Sequence, residues 1–351
     1  MTEPQPTLPS LTGPADPTAG AVTAQDALHD AQLMARRLSA RLKMRHLQLL
    51  LLIQQHGSLT RVAEHLSTSQ PAITNTLGEL ESLFGAQLFN RSSRGMAPTA
   101  LGEVVLARAS VIINDLDHLV HDVQASGAGL AARLQIGVTP FVSSRIVADA
   151  LALLQQEPPR LAVRMHQGSS AQLLAQLRDH SLDAAIGRAD PALNLEGLDF
   201  EPLYPQPPRL IANRRLAAQL SRRPLDWQAL AELDWILGAP GTPMREQVAG
   251  LFLQAGIVPP LPITESHSAE LIGALIASSE QSISIVPADI ANELVRVAGV
   301  AIVPYTLGWQ LPPIALFTRR DSRTRETCRR FAAALRQACG QMRPARPADP
   351  Y

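Results

Sequence analysis

Between residues 44 and 98 the sequence carries three short helical patterns followed by a basic segment that can form a hairpin. The second and third patterns are separated only by residues 67–69, which leaves room for a tight turn. The apolar residues of the third pattern recur at the spacing of one buried helix face, and they are Ile73, Leu77, Leu80 and Phe84. The run 87–96 then predicts two short strands around a basic turn. This order of elements predicts a winged helix-turn-helix.

Start signals for these helices place polar side chains where DNA can be contacted. Ser58 and Ser69 precede the second and third helices as N-caps, and Pro71 fits a first helical turn. The third helix presents short polar side chains, which suit base edges and phosphates. The candidate DNA-binding residues are Ser58, Arg61, Ser69, Gln70, Pro71, Thr74, Asn75, Arg91 and Arg94. A winged domain can also bind protein, but two wing arginines favour DNA.

A set of short motifs runs through the same segment: Arg45-His46-Leu47, Gly57-Ser58, Ala63-Glu64 with Leu66, Ser69-Gln70-Pro71-Ala72, Leu80-Glu81, Leu88-Phe89 with Arg91, and Pro98-Thr99 with Gly102. With these motifs the segment resembles the N-terminal domain of the LysR-type transcriptional regulators. Thr74-Asn75 departs from the family's usual serine followed by a basic residue, so one phosphate contact is expected to be weaker or moved. The resemblance implies double-stranded promoter DNA and a small-molecule effector as partners, and RNA polymerase if the protein activates transcription.

Residues 99–126 carry a second pattern, in which apolar residues are spaced 4-3-4-3-4. They are Val105, Ala109, Ile112, Leu116, Leu119 and Val123. This is a heptad seam in a helix roughly 40 Å long at 1.5 Å per residue. An identical chain is the simplest partner for such a seam, although part of it can pack on the winged domain. The sequence therefore predicts a dimerising linker helix, and the resemblance implies a homotetramer built as a dimer of dimers.

From residue 132 onward strands and helices alternate, which predicts mostly parallel sheets covered on both faces. The resemblance implies a two-lobed effector-binding domain like a periplasmic binding protein. The fold class expected is thus α/β with an N-terminal winged helix-turn-helix and a C-terminal two-lobed, periplasmic-binding-protein-like domain. Lobe I is expected at about 132–207 and 309–340 and lobe II at about 208–308, with proline-rich crossings near Tyr204–Pro208 and Leu307–Pro312.

Sheets of this kind bind ligands beyond the carboxyl ends of their strands, where helix N-termini converge. Polar residues stand at four such junctions in this chain. The candidate effector-binding residues are Thr139, Phe141, Ser143, Ser169, Ser170, Thr242 and Ser266. Hydroxyls and free N–H groups suit a small organic anion or a hydroxylated acid. Each serine or threonine can equally be only an N-cap, so the identity of the effector stays open.

Composition and the remaining segments complete the expected organisation. The formal net charge is zero over 351 residues, so DNA affinity must come from local patches. No membrane-length apolar run or secretory signal is visible, which predicts a cytoplasmic protein, and the resemblance implies a bacterial one. The expected segments are a disordered extension at 1–41, a winged domain at 42–99, a linker helix at 100–128, an effector domain at 132–340 and a disordered tail at 341–351. Within the extension, an alanine-rich helix from Ala24 to Arg41 is the alternative to a solvated tail.

Other functional classes fit less well. The chain has no nucleophile-elbow motif, no metal-ligand spacing, no phosphate loop and no dinucleotide fingerprint, so neither an enzyme nor a cofactor is expected. Asp183, Asp190, His166 and His180 are the residues that a catalytic hypothesis would use. The alternatives are another one-component winged-helix regulator or an enzyme with a fused DNA-binding domain.

Overall fold

The computed structural model describes residues 24–93, 95–127, 129–321 and 326–341. The chain divides into two compact units, with the boundary between Ala109 and Ser110. Within the described residues, no helix combines the length and the apolar character that crossing a membrane requires.

The first unit consists of four helices and a two-stranded hairpin, after which a fifth helix begins. Its elements are α1 (Ala24–Arg41), α2 (Met44–His56), α3 (Leu59–His65), α4 (Gln70–Phe84), β1 (Phe89–Ser92) and β2 (Gly95–Pro98). The two strands are antiparallel, with Phe89 opposite Pro98. Leu50, Ile53 and Leu80 are fully buried in the core where the helices meet. These elements form the winged helix-turn-helix that the sequence predicts.

Gly95 lets the wing close onto the turn between α2 and α3. Its φ is +115°, and a Cβ at this position would lie 2.5 Å from the carbonyl oxygen of Gly57. The next residue, Met96, donates its N–H to the same oxygen at 2.9 Å. A side chain at position 95 would therefore push the wing off the helices, because backbone atoms cannot move aside as a flexible side chain can.

The expectation that residues 1–41 lack structure is wrong for residues 24–41, which form α1. From Ala24 the segment is free of proline and rich in alanine, leucine and arginine, all of which have high helix propensity. Helix α1 also packs against α4, and Leu42 directly after it packs on the core of the unit. The proline-rich residues 1–23 and the tail from residue 342 lie outside the described residues.

Helix α5 runs from Ala100 to Gly127 and continues from the first unit into the second. Its first turns belong to the core of the first unit, where Val105 packs and Ala109 is fully buried. Val105 is half-buried against this core, so it belongs to the part of the seam that packs on the winged domain. Further along, Leu119 is 58% exposed and Val123 is 65% exposed. The uncovered part of the predicted seam thus extends from residue 112 to residue 123.

The second unit contains two five-stranded sheets, which define lobes I and II. Lobe I contains β3 (Arg133–Val138), α6 (Ser144–Gln156), β4 (Ala162–Gln167), α7 (Ser170–Arg178), β5 (Ala184–Arg188), β6 (Leu198–Tyr204), β12 (Ile314–Arg319) and α13 (Glu326–Gly340). Lobe II contains β7 (Pro208–Asn213), α8 (Arg214–Leu220), α9 (Trp227–Ala231), β8 (Asp234–Leu237), α10 (Pro243–Gln254), β9 (Thr264–Glu265), α11 (Ala269–Ser278), β10 (Ser282–Pro287), α12 (Ala288–Val297) and β11 (Val300–Val303).

Both sheets are covered on their two faces, as continuous apolar strands require. In β5, Ala184 and Ile186 face the cluster that contains Phe331, whereas Ala185 faces the cluster that contains Leu177. The strand orders are β4-β3-β5-β12-β6 and β11-β7-β10-β8-β9.

The sheets are mostly parallel, and one strand in each runs against its neighbours. These strands are β12 in lobe I and β7 in lobe II. Only residues 205–207 join β6 to β7, so β7 starts close to the place where β6 ends. Pro202 interrupts the apolar pattern of β6. Proline is tolerated there since β6 is an edge strand.

Candidate functional site

The exposed face of α4 carries the polar residues that the sequence assigns to base contacts. Gln70 is exposed in the first turn, and its side-chain amide donates to the Thr74 hydroxyl at 3.1 Å. Thr74 in turn donates to the Gln70 carbonyl at 3.0 Å. Asn75 is exposed one residue further along the helix. Because Ile73 and Leu77 anchor the opposite face in the core, the orientation of these polar side chains is fixed by packing.

Residues at the helix starts and in the wing are placed as follows. Ser69 caps α4 by accepting from the N–H of Ala72 at 3.4 Å, with Pro71 exposed in the first turn. Ser58 precedes α3 as its N-cap residue but makes no side-chain capping bond with the described residues. Arg61 on α3 and Arg91 on β1 are exposed. Arg94, the second wing arginine, lies outside the described residues.

Leu66, which belongs to the motif with Ala63-Glu64, is not part of the buried face of α3. It is 45% exposed. Helix α3 ends at His65, and Leu66 is already its C-cap residue. Val62 and Ala63 alone therefore supply the buried face at the end of this helix, and both are in the core.

In lobe I, two hydroxyl side chains lie next to Gly187, at the carboxyl ends of β3 and β5. Thr139 follows β3 and donates its N–H to the Ile186 carbonyl at 3.0 Å. A Cβ at Gly187 would lie 2.9 Å from Thr139 Cγ2 and 3.4 Å from Ser170 Oγ. The absence of a side chain at Gly187 thus allows Thr139 and Ser170 to approach each other. Both belong to the predicted effector-binding set.

Ser169 and Ser143 have structural partners as well. Ser169 forms a reciprocal capping box with Gln172: its hydroxyl accepts from the Gln172 N–H at 3.3 Å, and its own N–H donates to Gln172 Oε1 at 2.9 Å. Ser169 therefore acts as the N-cap of α7, the alternative that the sequence left open, and its role in effector binding stays a prediction. Ser143 is buried at the start of α6, where its backbone faces the phenol oxygen of Tyr204.

In lobe II, Thr242 and Ser266 stand beyond the carboxyl ends of β8 and β9. The Thr242 hydroxyl donates to the Ala239 carbonyl at 2.9 Å. A Cβ at Gly238 would lie 3.2 Å from Thr242 Oγ1 and 3.7 Å from His267 Cε1. Ser266 donates its N–H to the Leu237 carbonyl at 2.9 Å and is half-buried. Thr242 and His267 therefore both border the space that Gly238 leaves open.

Phe141 is positioned differently from the other predicted effector residues. It adopts a left-handed backbone conformation, with φ of +64°, directly after the polar end of β3. Its side chain packs against the lobe II cluster that contains Ile236 and Ile290. Phe141 therefore joins the two lobes, because a residue of lobe I contributes to the core of lobe II.

A buried polar network beside Phe141 was not found from the sequence. Gln206, in the first crossing, is only 1% exposed, and its amide nitrogen donates to the Phe141 carbonyl at 2.8 Å. The same nitrogen donates to Asp289 Oδ2 at 2.8 Å, and Gln206 Oε1 accepts from Arg188 at 2.5 Å. Tyr204 donates to Asp289 Oδ2 at 3.1 Å. A single glutamine between two prolines does not form a recognisable motif. From the sequence, only the proline-rich crossing marks the position of this network.

Burial shifts the protonation equilibria of this network. It raises the pKa of Asp289, and hydrogen bonds from Gln206 and Tyr204 offset part of that effect. Burial also lowers the pKa of Arg188 to about 10, although the Asp289 carboxylate acts in the opposite direction. The pKa of Tyr204 is raised by burial first and by the charge of Asp289 second. Arg188 also donates to the Pro312 carbonyl of the second crossing at 2.9 Å, so the network ties both crossings to lobes I and II.

The residues considered for catalysis have structural partners. His180 Nδ1 lies 2.8 Å from Asp115 Oδ1 of α5, and the His180 carbonyl lies 2.7 Å from His118 Nε2 of the same helix. Asp183 accepts from the N–H of Gln135 at 2.8 Å, and His166 Nε2 lies 2.8 Å from Gln135 Oε1. Asp190 caps a turn by accepting from the Ala192 N–H at 2.9 Å. These contacts bind the end of α5 to lobe I and close the loops around β3.

Comparison with protein families assigns both parts of the chain. Residues 44–103 match the bacterial regulatory helix-turn-helix protein of the lysR family. Residues 127–340 match the LysR substrate binding domain, which covers more than half of the chain.

Curated relatives and solved structures agree with this assignment. The HTH-type transcriptional regulator PcaQ of Agrobacterium fabrum is 30% identical over 86% of this chain and 96% of its own length. GbpR of Azospirillum brasilense, another HTH-type transcriptional regulator, is 28% identical over 86% of this chain and 88% of its own. The crystal structure of full-length CbnR with its target DNA has a TM-score of 0.59 and 21% identity, covering 85% of this chain and all of CbnR. The chain is therefore a member of the LysR family of transcriptional regulators.

Proposed function

We propose that this regulator reads promoter DNA with α4 and the wing, and that a small organic anion bound between lobes I and II alters its output in the bacterial cytoplasm. The carrying observation is the position of two polar groups, Thr139 with Ser170 in lobe I and Thr242 with Ser266 in lobe II. Both groups follow the carboxyl ends of strands, which is where open α/β sheets bind ligands. The helices α7 and α10 begin next to these groups, at Ser170 and Pro243, and their N-termini favour a negative charge there.

The side-chain chemistry of Gln70 and Arg91 suits them to different contacts with DNA. Gln70 offers an amide that can pair with the donor and acceptor edge of adenine, so it is suited to direct readout. Arg91 carries a full charge on an exposed strand, so it is suited to phosphate contact without base preference. The remaining candidates are Ser58, Arg61, Ser69, Pro71, Thr74, Asn75 and Arg94, which complete the proposed DNA-binding set.

Gln70→Ala is expected to relax sequence preference, with a loss of about 1–3 kcal/mol on the specific promoter site and little change on random DNA. Arg91→Ala is expected to weaken both DNAs alike and to lower the salt slope by about 0.9. Titrations of both DNAs at several salt concentrations separate these outcomes. Arg222→Ala, which removes an exposed arginine from lobe II, is the control. Identical binding by all three variants and the unmodified chain would remove the assignment to DNA contact.

Each of the substitutions Ser170→Phe and Thr242→Phe is expected to abolish the response to effector while leaving basal DNA binding intact. Either aromatic ring would fill the space beside Gly187 or Gly238 that the native hydroxyl borders. The measurement is the thermal shift and the promoter output with a panel of small mono- and dicarboxylic acids. Ser278→Phe is the matched control, since it adds the same bulk at an exposed serine in the last turn of α11, away from both polar groups. If both bulky variants respond as the unmodified chain does, the effector binds elsewhere.

The exposed part of α5 supports a role in assembly. Ile112, Leu116, Leu119 and Val123 remain from the predicted seam once Val105 is assigned to the winged core. We propose that these residues pair with the same residues of a second chain, which brings two copies of α4 to two half-sites. Contact with RNA polymerase belongs to the proposal only if the regulator activates transcription.

A further inference from the structure

A concentrated positive charge lies mostly ahead of the part of the chain that matches the family's helix-turn-helix domain. Residues 36–45, here called the basic segment, contain five cations: Arg36, Arg37, Arg41, Lys43 and Arg45. No aspartate or glutamate occurs between residues 31 and 63, although the chain as a whole has a formal net charge of zero. The local imbalance is therefore large, and the family match begins only at residue 44.

The cations of the basic segment have no anionic partner among the described residues. All five residues are exposed, and none takes part in an ion pair that the described part of the chain contains. Arg37 and Arg41 are four residues apart on α1, where like charges destabilise a helix. Besides burial, the charges of Arg45 and Lys43 lower the pKa of His46. An external anion would therefore relieve repulsion within this segment.

The basic segment is held in place within the winged unit. Helix α1 packs against α4, and Leu42, between Arg41 and Lys43, packs on the core. The side chains of α4 that are proposed to contact bases thus stand on the helix that α1 touches. A charged segment fixed in this way presents its cations at a constant place on the same compact unit.

We propose that Arg36, Arg37 and Arg41 of α1 form an additional contact with the phosphate backbone of DNA that flanks the half-site. DNA is the fitting partner because it supplies a continuous row of anions, and arginine binds phosphate in a bidentate way. This contact adds affinity without base preference. It extends the DNA-binding surface of this chain beyond the helix-turn-helix and the wing.

The test compares two triple variants of the full chain on a random-sequence DNA duplex, so that no operator needs to be known. Replacing Arg36, Arg37 and Arg41 by glutamine removes three phosphate contacts and is expected to lower the salt slope by about 2.7 per bound chain. Between 50 and 200 mM salt, that difference corresponds to a roughly 40-fold smaller loss of affinity. Replacing the same residues by lysine keeps the charges and is expected to keep most of the slope.

Two controls make each outcome decisive. The triple variant Arg214→Gln, Arg222→Gln, Arg223→Gln removes three exposed arginines of lobe II. It is expected to leave the salt slope of DNA binding unchanged. Thermal unfolding of every variant reports whether α1 still folds. A slope that stays unchanged in the α1 glutamine variant overturns the proposal. Equal losses in the lysine variant, or in the lobe II control, also overturn it, because they indicate a structural role of α1 or a general effect of net charge.

Discussion

Replacing Leu119 by aspartate is expected to convert the protein into a monomer and to lower operator affinity by about 10²- to 10⁴-fold through lost bivalency. Leu119 is 58% exposed in the single chain, so the substitution leaves the fold of that chain intact. In the proposed pair of α5 helices, however, each new carboxylate would be buried against its symmetry mate without a partner. Mass from light scattering and affinity for a fragment with two half-sites are the measurements.

Leu253→Asp is the matched control for this experiment. Leu253 is 64% exposed and also lies on a helix, α10 of lobe II, so the same chemical change is made away from α5. We expect it to leave the dimer mass unchanged. A dimer of normal mass for Leu119→Asp would show that the chains associate through another surface. Leu116 is less suitable for the test because it is already half-buried within the chain.

Replacing Asp289 by alanine is expected to destabilise the effector-binding domain by about 1–3 kcal/mol, because it leaves buried hydrogen-bond donors without an acceptor. Gln206 and Tyr204 would lose a hydrogen-bond acceptor. Arg188 would lose the lobe II carboxylate whose charge raises its pKa. Tryptophan fluorescence during urea unfolding is a suitable measurement. The three tryptophans are Trp227, Trp235 and Trp309, which lie in or next to lobe II.

Glu280→Ala provides the comparison with an exposed pair. Glu280 lies 2.9 Å from Arg215, but both side chains are largely exposed, so we expect a loss of only about 0–1 kcal/mol. Equal effects of the two substitutions would contradict a special role of the buried network.

The sign of the pH dependence at Asp289 follows from its raised pKa. Folding favours the protonated carboxyl, so this contribution to stability is fully present below the unfolded-state pKa, which lies near the ordinary aspartate value of 3.8. It is lost as the pH rises through the folded-state pKa. Relative to Asp289→Asn, whose side chain does not titrate, the unmodified chain is therefore expected to lose stability as the pH increases above that range. Urea unfolding at several pH values measures this difference.

The winged domain could be predicted from the sequence because its determinants are local. Ser69 and Pro71 start α4, Gly85 ends it, and the apolar spacing between them sets its buried face. The alternation of strands and helices was equally local, and it placed most elements of lobes I and II near their observed positions. The polar junctions followed from the general rule that ligands bind at strand carboxyl ends.

The remaining features depend on contacts between distant residues. The direction of β12 depends on the place where the second crossing ends. No property of residues 314–319 alone determines that this strand is antiparallel to its neighbours. The network around Gln206 joins residues from β5, two crossings and α12, so it exists only after folding. Val105 shows the same limit, since its heptad position could not reveal that it packs on the winged core.

The position of β12 between β5 and β6 has a consequence for the order in which the two lobes can fold during translation. Lobe II is one continuous stretch of chain from β7 to β11, so all its strands are available as soon as that stretch has emerged. Strands β5 and β6 have no hydrogen bonds to each other and must wait for β12, which is translated after the whole of lobe II. Until then both present open strand edges, which are prone to pairing with other chains. Lobe I, although it is translated first, is therefore completed last.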